Sequence, residues 1–141
     1  MIESFYAFLE TIGITHPIHP IVVHAPMGLV IGAVAFSLAE YKWPDKHLGQ
    51  SAYHCVFLAL LSIVPVYIAG LLDWQHVFAG DMSKWIIIKM ILGIVLTVLL
   101  AYAVIQKNNG ASRTKMLAIY LLSLGVCGGL GFSGGELLYG G

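Results

Sequence analysis

Charge is what this chain has least of. Lys and Arg number 7, Asp and Glu 7, and together they make up only 10% of 141 residues, with a formal net charge of zero. No basic run is available to neutralise a phosphate backbone, so nucleic acid is not a partner that composition supports. No field of either sign steers an acidic substrate. Cysteine is almost as scarce. Cys55 and Cys127 cannot build a disulfide scaffold, and they fall at different depths of the chain's apolar segments, beyond the ~7 Å Cα separation a bridge tolerates. Both read as small buried hydrophobes. A nucleophile elbow, a phosphate loop and an HExxH zinc motif are all missing, and no nucleophile, base and oxyanion donors can be assembled for a hydrolase or transferase.

What is present is apolar. Hydrophobic residues make up 59% of the chain, and the mean hydropathy is +0.88. Four stretches, Ile21 to Lys42, Ser51 to Leu72, Trp85 to Gln106 and Met116 to Gly134, each approach the roughly 20 residues that cross ~30 Å of hydrocarbon as helix. Runs such as IIIKMILGIVLTVLLAY lack the alternation of barrel strands. The expected fold is all-α: one integral membrane domain over residues 1–141, a four-transmembrane-helix up-down bundle with short connections. Before the first span, Phe5, Phe8, Leu9 and Ile12 recur at helical spacing while Glu3 and Glu10 lie elsewhere on the wheel. That pattern predicts a short N-terminal amphipathic interfacial helix, and it lacks the basic start and long apolar centre of a cleavable signal.

The basic residues set the orientation. Lys42 and Lys46 flank the first connection, and Lys107, Arg113 and Lys115 flank the third, which puts both on the cytoplasmic side of a bacterial inner membrane and both termini in the periplasm. The lipid bilayer is the one certain partner. The outer rim then collects His16, His19, His24 and His76 together with Asp73, Glu136 and, one turn into the third span, Lys89. An ionisable residue facing lipid costs a few kcal/mol, so Lys89 is expected to point into the bundle or to snorkel outward.

The segment THPIHPIVVHAPMG is the most unusual stretch. Pro20 can start a helix, whereas Pro26 falls in its second turn and is expected to break the backbone there, which at membrane depth implies a protein-lined or wet site. A plain proline-capped start with histidines facing headgroups is the simpler reading. Gly28 and Gly32 in the first span, with Gly125, Gly129, Gly131 and Gly135 in the fourth, permit close helix packing and equally leave room for a flat macrocycle. His54 lies some 20 Å deeper than His24, so the two cannot share a metal. With Met116 it forms a weaker inner candidate, a His and Met ligand pair.

The residues HPIHPIVVHAPMGLVIGA, AGLLDW and GFSGGELLY resemble domain-of-unknown-function family 2231, bacterial integral membrane proteins of about four spans. The likeness covers nearly the whole chain. It matches the family's histidines to His19 and His24, its acid and tryptophan to Asp73 and Trp74, and its terminal glutamate and tyrosine to Glu136 and Tyr139. It implies membrane location and hints at haem or metal. Where many members have a further histidine near the start of the third span, this chain has Lys89.

Three functions follow as expectations. The first is a haem b protein, an electron carrier or cytochrome subunit of a respiratory assembly, with His24 as first ligand and His76, His19 or a histidine from a second subunit as the other. Gly28 and Gly32 would lie beside the macrocycle, with Asp73, Glu136, Lys89 and Trp74 around the ligands. The second is handling or transport of a divalent transition metal or of protons by the same imidazoles and carboxylates, which suit Zn, Fe or Mn. The third is a non-catalytic assembly subunit. A homo-oligomer or a redox complex is the expected assembly.

Overall fold

The structure, a computed structural model, describes residues 1–140 and is helical throughout. Helix α1 covers Ile2–Thr11, α2 His19–Lys42, α3 Leu48–His76, α4 Lys84–Asn108 and α5 Arg113–Tyr139, with one 3₁₀ turn at Pro44–Lys46 between α2 and α3. The four helices α2 to α5 are long and apolar enough to cross a bilayer. They pack in ring order, α2 most extensively on α3 and α4 on α5, with α2 also against α5 and α3 against α4. This is the expected up-down bundle.

Helices α4 and α5 begin on local caps, and α2 on a proline. The Ser83 hydroxyl accepts the Ile86 N–H at the start of α4, and the Ser112 hydroxyl accepts the Lys115 N–H at the start of α5, both side-chain N-caps. Helix α2 has Pro20 in its first turn, where a missing N–H leaves nothing unsatisfied. All four helices overrun the apolar segments read from sequence, α3 by three residues at its start and four at its end. Hydropathy marks the part inside hydrocarbon, and the backbone ladder continues into the interface. The expected break at Pro26 is absent: α2 runs through it without interruption, with the ring buried in the bundle.

The core runs down the middle of the ring. Val30, Ala33, Ala52, Ala59, Leu100 and Ala103 are 0 to 1% exposed, and the alanines let backbones approach as small residues do in lipid. The expected glycine pair on α2 divides, Gly32 toward α3 and Gly28 toward the outside. Gly28 is exposed with open space where a Cβ would stand, and a Cβ on Gly32 would meet only Cys55 Sγ at 3.4 Å. The outer coat is apolar too, with Ile31, Val64, Ile94, Val98 and Leu122 all more than half exposed, as lipid-facing surface must be. In α1 the buried residues are Tyr6 and Leu9, while Phe5, Phe8 and Ile12 stay exposed. The aromatic face of that helix is thus left for the interface, and its polar tyrosine turns inward.

Because lipid is as apolar as a leucine side chain, truncating a core residue here forfeits packing more than transfer energy. Leu100→Ala is expected to cost about 1–3 kcal/mol, and Ile94→Ala less than about 0.5 kcal/mol. Thermal unfolding of the two variants in one detergent measures the difference.

Candidate functional site

The centre of the outer end is Asp73. It lies in the last turn of α3, 3% exposed, and its carboxylate collects three donors. Tyr6 of α1 donates its phenol O–H to Oδ1, the Ile18 N–H reaches Oδ1 at 3.1 Å, and the His19 N–H reaches Oδ2 at 2.6 Å. The last two belong to the N-terminus of α2. Asp73 is therefore the cap of a helix 54 residues away in sequence. The rest of that terminus is accounted for: Pro20 has no N–H, and the Ile21 and Val22 N–H groups both go to the Ile18 carbonyl. An anion at a helix N-terminus is favoured by both the free donors and the macrodipole.

Tyr6 belongs to this cluster although nothing in its sequence context marks it. Burial first, then the hydrogen bond to Asp73 and its charge, push the phenol above its usual pKa of 10. His76 stacks on the Tyr6 ring at 3.8 Å between centroids and 9° between planes, with Nδ1 3.1 Å from Glu3 Oε1. Trp74 donates its indole N–H to the Asp81 carbonyl at 2.7 Å, which folds the α3–α4 connection back over the end of α3.

Below Asp73 the four spanning helices line a cavity of about 150 Å³ that opens at one side of the bundle. Its walls are apolar for most of their area, and the polar residues on it are His19, Asp73, Trp74, Lys89 and Tyr67. The His19 ring enters this space because Gly70 lets it. A Cβ at Gly70 would stand 3.0 Å from His19 Nδ1 and 3.3 Å from Cε1. Residue 70 sits in the AGLLDW motif, whose three distinctive residues now have separate tasks: a seat for an imidazole, a helix cap and a loop tie. His19 Nδ1 is 3.1 Å from the Val66 carbonyl. A carbonyl only accepts, so Nδ1 carries the proton and the neutral ring keeps its lone pair on Nε2. Lys89 Nζ lies against α5, 3.8 Å from where a Gly134 Cβ would be, and makes no hydrogen bond or ion pair among the described residues.

The other residues singled out in the sequence disperse. His24 is exposed on the outward face of α2, its Nδ1 bonded to the Pro20 carbonyl, so its Nε2 is also free. Gly28, one turn below, shares that face. Glu136 folds along the end of its own helix, its carboxylate 2.5 Å from where a Cβ on Gly140 would stand. At the inner end His54 is exposed, with Nε2 3.3 Å from Gln50 Nε2, while Met116 is buried in the core. Among the described residues no three His, Cys, Asp or Glu side chains converge on a metal position. The structure thus joins His19, Asp73, Trp74 and Lys89 at one cavity and holds His24 and Gly28 on the outside of the same helix.

No curated protein and no solved structure matches the chain. A family model does, over residues 15–140, and its description is a predicted membrane protein, DUF2231. The chain belongs to that family.

Two substitutions test the Asp73 cluster. Tyr6→Phe removes one charge-assisted bond and is expected to cost about 1–2 kcal/mol, whereas Asp73→Ala leaves three donors facing an apolar gap and costs about 3 kcal/mol or more. The phenol's raised pKa gives a sign: its contribution is whole below pH 10 and is lost as the pH climbs through the raised value. Thermal unfolding against pH should therefore fall more steeply above pH 10 in the parent than in Tyr6→Phe.

Proposed function

We propose that this member of the DUF2231 family is a b-type haem protein, an electron carrier or cytochrome subunit of the bacterial inner membrane, with His24 as an axial ligand. The observation that carries the reading is the hydrogen bond from His24 Nδ1 to the Pro20 carbonyl. It fixes the tautomer and the ring plane and leaves the lone pair of Nε2 free and exposed, the arrangement in which a protein presents an imidazole to iron. One turn below it on the same face, Gly28 puts no side chain on the helix surface. Gly131 of α5 lies level with Met27, whose Cε is 3.5 Å from where its Cβ would be, and Gly28 and Gly135 have open space above them. A flat ring can lie against such a surface.

The donor chemistry fits; the space inside the bundle does not hold a macrocycle within one chain. The cavity of about 150 Å³ falls below the roughly 300–1,000 Å³ that encloses a drug-sized ligand. The reading therefore puts the group against the outer face of α2 and takes the second ligand from another copy or another subunit. His76 has its Nε2 free as well, but its ring faces α1 through Tyr6 and Glu3. His19 is turned into the cavity. When bound, the iron supplies one-electron chemistry between its ferric and ferrous states.

A protein-only centre for a divalent metal has less support, since it needs three or four converging ligands, whereas iron in a porphyrin asks for one or two from the chain. The basic residues Lys42, Lys46, Lys107, Arg113 and Lys115 place the opposite end in the cytoplasm, so the imidazoles and both termini belong to the periplasmic side in this reading.

Absorption spectroscopy of protein purified from cells with adequate haem tests it. A Soret band and a reduced α-band are expected, lost in His24→Ala and kept in His54→Ala. A colourless parent protein removes the haem and leaves the assembly role.

A further inference from the structure

The cavity under Asp73 is a second place where chemistry is prepared, and the haem reading does not use it. Its volume, about 150 Å³, matches the ~150 Å³ of an apolar cavity that accepts a benzene ring. The wall carries Phe78, Trp74, Tyr67, Met27 and Met90, aromatic and thioether surfaces that favour a ring over a bare chain.

Most polar groups on the wall are already committed. Asp73 accepts its three bonds, and the Trp74 N–H goes to Asp81. Thr97 donates to the Gly93 carbonyl, so the 3.0 Å contact between Tyr67 and Thr97 is the tyrosine's donation. Two groups are left over, His19 Nε2 as an acceptor and Lys89 Nζ as a donor. They differ in kind, and a head that serves both needs an O–H to donate and an oxygen to accept, which the two hydroxyls of a quinol supply. A carboxylate serves Lys89 alone and brings a second negative charge beside Asp73. The Lys89 and Asp73 charges already offset one another across the cavity, which favours a neutral head.

The wall also continues to the outside. Tyr67, Leu71 and Leu138 line the cavity and are 39%, 53% and 39% exposed. An apolar tail attached to the ring can leave past the exposed Tyr67 and Leu71 of α3 into lipid.

We infer that this cavity binds the head ring of a quinol carried on an apolar tail, its hydroxyl donating to His19 Nε2 and its other oxygen accepting from Lys89 Nζ. His24 is not on the cavity wall: it is exposed on the outside of α2, about 140° around the helix from His19.

Titration of the purified protein in nanodiscs with a decyl-tailed benzoquinol tests the assignment. In a Trp43→Phe, Trp85→Phe background, Trp74 on the cavity wall reports binding by fluorescence. Saturable quenching is expected, weakened at least tenfold by Lys89→Met and by His19→Phe, of which either folded variant suffices. His24→Ala should leave the affinity unchanged, so a failure of the haem reading does not touch this result. Decanoate, an anionic head on a comparable tail, should not compete. Quenching that rises without saturation, an unchanged affinity in Lys89→Met, a loss of binding in His24→Ala, or displacement by decanoate overturns the inference.

Discussion

A single carboxylate holds the outer end of this protein together. Asp73 is buried beside lipid-facing helices, where an unpaired charge costs several kcal/mol. It is tolerated because it takes donors from α1, from the segment before α2 and from the first turn of α2. Those three bonds fix the height at which α2 starts, the angle of the interfacial helix and the depth of His19.

The inner end repeats the device in looser form. Glu40, near the end of α2, has its carboxylate where a Cβ on Gly49 would be, 2.5 Å from that position, at the start of α3. It also pairs with Arg113 of α5 at 3.7 Å. Each helix of the antiparallel pair α2 and α3 thus sets an acid from its last turns against the other's first turn. With both macrodipoles answered by the partner, the pair forms a rigid half of the bundle, and its interface is the most extensive one. The other half, α4 and α5, starts from local serine caps instead.

How much of this could be read in the sequence follows from what each signal measures. Span number, order and the interfacial helix were legible because hydropathy and loop length report them directly. Asp73, Lys89 and Trp74 could be gathered at one end from depth alone. Rotation was not legible, because core and lipid are equally apolar and α2 has no polar side to mark its outside. That is why Gly28, whose spacing suggested a packing pair, is exposed, and why the pattern of α1 did not show that Tyr6 turns inward. Nor could sequence say that the partners of Asp73 would be backbone N–H groups, since every residue has one. Gly70 was hidden for a related reason: its task is to be empty where the His19 ring lies.

The spacing of the two motif histidines gains a physical meaning from the same rotation. At 3.6 residues per turn, five positions advance a helix by about 140° past a full turn. Three or four positions would have kept both imidazoles on one face, able to share a metal as paired ligands do. Five positions send His19 into the bundle and His24 toward its exterior, ~7.5 Å apart along the axis. Both rings donate Nδ1 to a backbone carbonyl, Val66 in one case and Pro20 in the other, so both keep Nε2 for something the chain does not supply. One helix start, pinned by Asp73, therefore offers the same chemical group to two different surroundings, a ring-sized cavity among the helices and the exposed outer face of α2.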